Sequence, residues 1–182
     1  GLGGSQEHFR WIARSLMEKG WPVVLIEHPN SGSKALKELI EGRRKPPGAE
    51  VLPGRLADLH AVLNARKEGI IEIPGDNLVL MGHSLGALTA FLASGATPSD
   101  GLEVRCKKAL NDLSLTNLSQ LLQCQFTYVQ LNNYKSIKEL KAIVALNSFG
   151  SLLWPEEGDA TVPVPVMLTG GTIDLVTPSI NE

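Results

Sequence analysis

Five consecutive residues carry the clearest capacity for covalent chemistry: Gly82-His83-Ser84-Leu85-Gly86. They fit the pattern G-x-S-x-G. The apolar run Leu78-Val79-Leu80-Met81 precedes them, and Ala87, Leu88, Ala90, Phe91, Leu92 and Ala93 follow at helical spacing. A serine on a tight turn between a buried strand and a helix is a nucleophile elbow. The turn strains the serine backbone and lifts its hydroxyl clear at the C-terminal edge of a sheet. The helix start then aims free N–H groups and the positive end of its dipole at developing negative charge. Gly82 and Gly86 are expected to be required because side chains there would strike neighbouring backbone. His83 occupies a variable position, with its side chain directed away from that of Ser84. A glycine-rich turn with an incidental serine is the competing reading, and the strand before and helix after weigh against it.

Acyl transfer needs two N–H donors for the tetrahedral oxyanion. The residue after the nucleophile, Leu85, supplies one. Gly1-Leu2-Gly3-Gly4, just before a helix, is a fitting source of the second, with Leu2 N–H as the donor. A linker or tag remnant would read the same way in isolation. An acid follows in Gly170-Gly171-Thr172-Ile173-Asp174, directly after an apolar strand. Asp174 is thereby expected on the same sheet edge as Ser84, where open α/β sheets place their sites. An acid there can orient a histidine and stabilise its protonated form. Aspartate in a glycine-rich turn is also common without any such role.

The histidine is the missing piece. The four present are His8, His28, His60 and His83, and none follows Asp174, although the order in this architecture is Ser, Asp, His. His28 sits at the end of an expected strand and is a remote candidate. The simpler expectation places the base beyond Glu182, which would leave these residues alone with a nucleophile, an acid and an oxyanion site but poor turnover. The glycine start and the abrupt end after a turn read as a chain cut at both ends.

The elements that must position these groups alternate. Ser5 caps a helix with apolar positions Phe9, Ile12, Ala13, Leu16 and Met17. Pro22 to Ile26 reads as a parallel strand buried on both faces, and Lys34 to Gly42 as a short amphipathic helix. Arg43 to Pro53 reads as an exposed connection, and a further helix runs from Arg55 to Gly69. Leu78–Met81, Ala142–Leu146 and Val164–Thr169 are further strands, the last with Pro165 near a sheet end. Strands separated by helices imply a parallel sheet. Residues 100–139 interrupt the rhythm and read as a helical insertion or lid within one domain spanning 1–182. Cys106 and Cys124, both within that insertion, are compatible equally with a disulfide and with two buried thiols.

Composition limits the classes. The 182 residues are 43% hydrophobic and 20% charged with a net charge of −2, which suits a globular domain and gives no reason to expect nucleic acid or an anionic membrane as partner. No apolar run approaches the roughly 20 residues that span a bilayer, and no leader pattern opens the chain. No metal or other cofactor is expected.

The chain resembles the α/β-hydrolase superfamily, and within it the dienelactone hydrolase-like proteins, platelet-activating-factor acetylhydrolases and cutinase-like polyesterases. The resemblance rests on Gly1-Leu2-Gly3-Gly4, Glu27-His28-Pro29, Gly82-His83-Ser84-Leu85-Gly86 and Gly171-Thr172-Ile173-Asp174-Leu175-Val176-Thr177-Pro178. It covers nearly everything outside the insertion. It implies a metal-free serine esterase acting on small-molecule esters through an acyl-enzyme on Ser84, with Asp174 as the acid. In the acetylhydrolases the acid follows the preceding strand, where this chain has Asn147. Dienelactone hydrolases use cysteine at the elbow, so that particular activity is not implied. A non-catalytic binding protein on the same fold, and an acyltransferase or perhydrolase, remain the rival readings.

Overall fold

A computed structural model describes residues 1–111, 118–129, 135–157 and 162–174. It is a mixed α/β structure around a three-stranded parallel sheet flanked by helices. The strands are β1 (Leu78–His83), β2 (Leu140–Leu146) and β3 (Val166–Thr169), in the order β1-β2-β3. Both pairings are parallel: His83 aligns with Leu146, and Leu146 with Thr169. All three strands therefore finish at one edge. Pro165 lies just before β3, and its carbonyl accepts the Ile143 N–H at 3.0 Å. A proline is compatible there because only its acceptor is used.

The helices are α1 (Arg10–Glu18), α2 (Ser33–Ile40), α3 (Leu52–Lys67), α4 (Leu85–Ser94), α5 (Leu102–Asn111) and α6 (Leu118–Cys124). Every residue of α4 but Gly86 is buried. It lies against β1 and β2, and α3 lies against α4. Leu52, Leu56, Leu85, Leu88, Ile143, Phe149 and Leu153 form the driest part of this core. Helix α3 starts three residues before the expected Arg55, with Pro53 in its first turn. The first-turn N–H groups have no partner within a helix, so a proline there removes nothing.

Two expectations about strands need correction. Pro22–Ile26 forms no ladder, and Val24 is 42% exposed. An apolar β-type run becomes a strand only when another strand offers it backbone partners, and β1 pairs with β2 instead. Gln6 Nε2 donates to the Leu25 carbonyl of this segment at 3.1 Å, and six residues past its end Gly32 forms an isolated parallel bridge with Gly4. Nor is β1 buried on both faces. It is an edge of the described sheet, and Met81 is exposed.

The described part of the 100–139 segment packs into the body of the molecule. Phe126 and Ile137 belong to the main core, Gln125 Oε1 accepts the Ala49 N–H at 2.7 Å, and Ile137 N–H donates to the Ala93 carbonyl. Cys106 of α5 and Cys124 of α6 are joined in a disulfide, which decides between the two readings left open above. No helix among the described residues is long and apolar enough to cross a membrane.

Candidate functional site

The site is built from the residue after each strand. Beyond β1, Ser84 adopts φ 52° and ψ −120°, a region that side-chain-bearing residues rarely occupy and that costs on the order of 1–3 kcal/mol. Its N–H donates to the Leu146 carbonyl at 2.9 Å, and its carbonyl accepts from Ala87 and Leu88. The ladder thus continues one step past β1 and hands over directly to α4. The first N–H groups of α4, those of Leu85 and Gly86, have no intrahelical acceptor and are available to an anion.

The two elbow glycines are not equivalent. A Cβ on Gly82 would sit 2.2 Å from the carbonyl carbon and oxygen of Gly86 and 2.5 Å from Ala87 N. Backbone cannot move aside there, so Gly82 is obligatory. A Cβ on Gly86 would meet only Gly1 N at 3.6 Å and Arg55 Nη2 at 3.8 Å, which is ordinary contact. The expectation that both glycines answer a steric demand is corrected for Gly86.

The opening glycines do lie against the elbow. Gly4 N–H donates to the Gly1 carbonyl at 3.3 Å, closing a turn over Leu2 and Gly3 in which Gly3 takes φ 68°. A Cβ on Gly1 would be 3.0 Å from the His83 carbonyl oxygen and 3.7 Å from Ser84 Cβ. The turn that carries Leu2 is therefore in contact with the segment that carries Ser84 and Leu85.

Asp174 lies past β3 and is half-buried. Asn147 Nδ2 donates to its Oδ2 at 2.6 Å, while Asn147 N–H donates to the Thr169 carbonyl at 2.6 Å. Asn147 directly follows Leu146, the residue that accepts from Ser84, so Ser84, Asn147 and Asp174 occupy one edge in sequence. Asn147 has φ 45°, a conformation that asparagine tolerates better than most residues. The sequence placed Asn147 at this edge but offered no sign that it binds the acid. Leu175 to Pro178, which contributed to the family resemblance, lie outside the described residues.

The histidines are engaged elsewhere. His8 Nδ1 accepts the Ser5 N–H at 3.4 Å, and His60 Nε2 lies 3.1 Å from the Lys135 carbonyl. His28 Nδ1 is 2.7 Å from Asp58 Oδ2. Burial first, and then the Arg55 charge, lower the His28 pKa against the opposing pull of Asp58. His83 packs against the Phe9 ring. Desolvation lowers its pKa, with the Asp174 charge acting in the opposite direction. Among the described residues, no hydrogen bond joins any imidazole to Ser84 Oγ. Nor do three or more His, Cys, Asp or Glu residues there gather as a metal site.

Comparison with protein-family models, with curated proteins and with solved structures finds no match.

Proposed function

We propose that this chain has an α/β-hydrolase fold, and that Ser84 is the nucleophile of a carboxylic-ester hydrolase. The observation that carries the reading is the backbone of Ser84, at φ 52° and ψ −120° between β1 and α4. That strain persists because Gly82 lies hard against the Gly86 backbone, and strain of this kind concentrates at functional sites.

Ser84 Oγ attacks the ester carbonyl and loses its proton to a histidine. The reading assigns that base to a residue outside 1–182, because His8, His28 and His60 each have another partner and His83 packs on Phe9. Asp174 holds the imidazole and balances its charge. Leu2 N–H and Leu85 N–H take the oxyanion. The C–O bond then breaks, and the alcohol leaves with the proton. Water, deprotonated by the same imidazole, cleaves the acyl-enzyme and frees the acid and Ser84.

Intact-mass analysis of the full-length protein after a fluorophosphonate tests this reading. The expected result is a single adduct on wild type and none on Ser84→Ala. No adduct on folded wild type would favour a binding protein on the same fold.

A further inference from the structure

Arg55, near the start of α3, is only 4% exposed. Burial lowers its pKa to about 10, opposed by the charge of Asp58, so it stays charged at neutral pH. No carboxylate forms an ion pair with it among the described residues, and Asp58 is bonded to His28. A buried cation whose side-chain partners are neutral hydroxyls is costly for stability. An apolar residue would fill the same space in a core more cheaply. The hydrogen bonds show what the guanidinium does there.

Arg55 Nε donates to Thr89 Oγ1 at 2.8 Å, and that hydroxyl donates to the Leu85 carbonyl at 2.7 Å. The direction is fixed, since a guanidinium cannot accept. Arg55 Nη1 donates to Ser31 Oγ at 2.6 Å, and the Ser31 carbonyl accepts the Gly3 N–H at 2.7 Å. One arm therefore ends on the first turn of α4 at Leu85. The other ends on the glycine turn at the residue after Leu2. Both hydroxyl residues are buried, Ser31 at 0% and Thr89 at 2%, and charge-assisted bonds of this kind hold geometry well. Arg55 Nη2 lies beside Gly86, 3.8 Å from that residue's Cβ position, which is itself 3.6 Å from Gly1 N.

We infer that Arg55 is a positioning residue for the oxyanion site, its planar fork fixing the segments of Leu2 and Leu85 relative to one another. The inference rests on the serine-hydrolase reading above. It makes Arg55 act through Ser31 and Thr89 and not by touching substrate. Two N–H donors on separate chain segments stabilise an oxyanion only if their spacing is held through the reaction.

The test uses the full-length protein with Arg55→Lys, Arg55→Met, Thr89→Val and Ser31→Ala. Two readouts are taken well below each variant's melting temperature: the fluorophosphonate rate constant at Ser84, and kcat and KM for p-nitrophenyl acetate. Loss of one oxyanion donor costs about 10²–10³-fold in kcat, so a misplaced pair should cost about 10–100-fold with KM little changed. Lysine keeps the charge without the fork, and Arg55→Lys is expected to fall nearly as far as Arg55→Met. Thr89→Val and Ser31→Ala should each lose part of the rate, and neither should add fully to Arg55→Met. If the Arg55 variants fail to fold, the two hydroxyl variants carry the test alone. Rates within about twofold of wild type for both hydroxyl variants, whatever happens to the melting temperature, would overturn the inference and leave the hydrolase reading standing. Wild type that takes no adduct would overturn both.

Discussion

The two sides of Ser84 are held by different means. On one side Arg55, Ser31, Thr89 and Leu85 are all buried and form one connected hydrogen-bond system reaching to the glycine turn. On the other, Asp174 is half-buried beyond a short strand, next to a largely exposed Ile173, and Asn147 Nδ2 is its described side-chain donor. The first side is over-determined: several bonds and a steric wall agree on one geometry. The second is set by strand register, since parallel strands that end together bring the residues after them to one edge. Side-chain substitutions should therefore act strongly and cooperatively on the first side, and mildly and locally on the second.

The sharpest contrast lies within the elbow. Gly82→Ala places a methyl group 2.2 Å from Gly86 backbone and is expected to cost more than about 3 kcal/mol. Gly86→Ala is expected to stay within about 1 kcal/mol of wild type, and can even stabilise the helix start. Thermal or urea melts of the pair check this. Equal melting of the two variants would break the assignment of the wall to Gly82.

The Cys106–Cys124 disulfide, with a sequence separation of 18, tests whether stability and site geometry separate. Replacing both cysteines by alanine should cost about 3 kcal/mol, as expected for a loop of this order. Neither cysteine belongs to the network around Ser84, so the phosphonylation rate at that serine should hold at temperatures where the variant is folded. A parallel loss of rate would mean that the insertion supports the site.

On the acid side the effects should be smaller. Asn147→Ala removes one hydrogen bond to Asp174 and puts alanine at φ 45°, together worth about 1–3 kcal/mol of stability. Asn147→Asp sets a like charge beside Asp174 and should raise the pKa of the pair, shifting the pH profile of phosphonylation upward. A profile that does not move would argue against Asp174 as the working acid.

The mildest effect concerns pH. The folded-state pKa of His28 lies below its ordinary value, so below about pH 6.5 the unfolded chain binds that proton more readily. Stability from this group is thus present above the unfolded pKa and lost as pH falls. Urea melts at pH 7.5 and 5.5 should show lower stability in acid, and His28→Gln should flatten the slope. His83, shifted the same way, keeps the slope from vanishing. An unchanged slope in His28→Gln would remove His28 from this account.

Several features were legible in the sequence because they are local. An apolar strand, a glycine-serine-glycine turn and an apolar helix encode the elbow through steric limits that act within a few residues, and the structure places β1, Ser84 and α4 accordingly. The place of Asp174 was legible by the same logic, as an aspartate in the loop after an apolar strand. The 22–26 run has a strand's composition without forming one, because a strand depends on a neighbour that composition cannot supply. The difference between Gly82 and Gly86 was invisible because a motif names residue types and not distances.

The sequence by itself determined the parallel α/β class, the strained serine turn and the edge to which Ser84 and Asp174 belong. All of these follow from periodicity and backbone sterics. Only the tertiary structure decided what fixes the site. An arginine at the head of a helix reads as a solvated charge until packing buries it against Ser31, 24 residues earlier, and Thr89, 34 residues later. The same holds for Asn147 and Asp174, brought together across a separation of 27 by strand register. Hydrogen bonds between distant segments depend on where folding leaves each donor and acceptor, and short-range pattern carries no record of that.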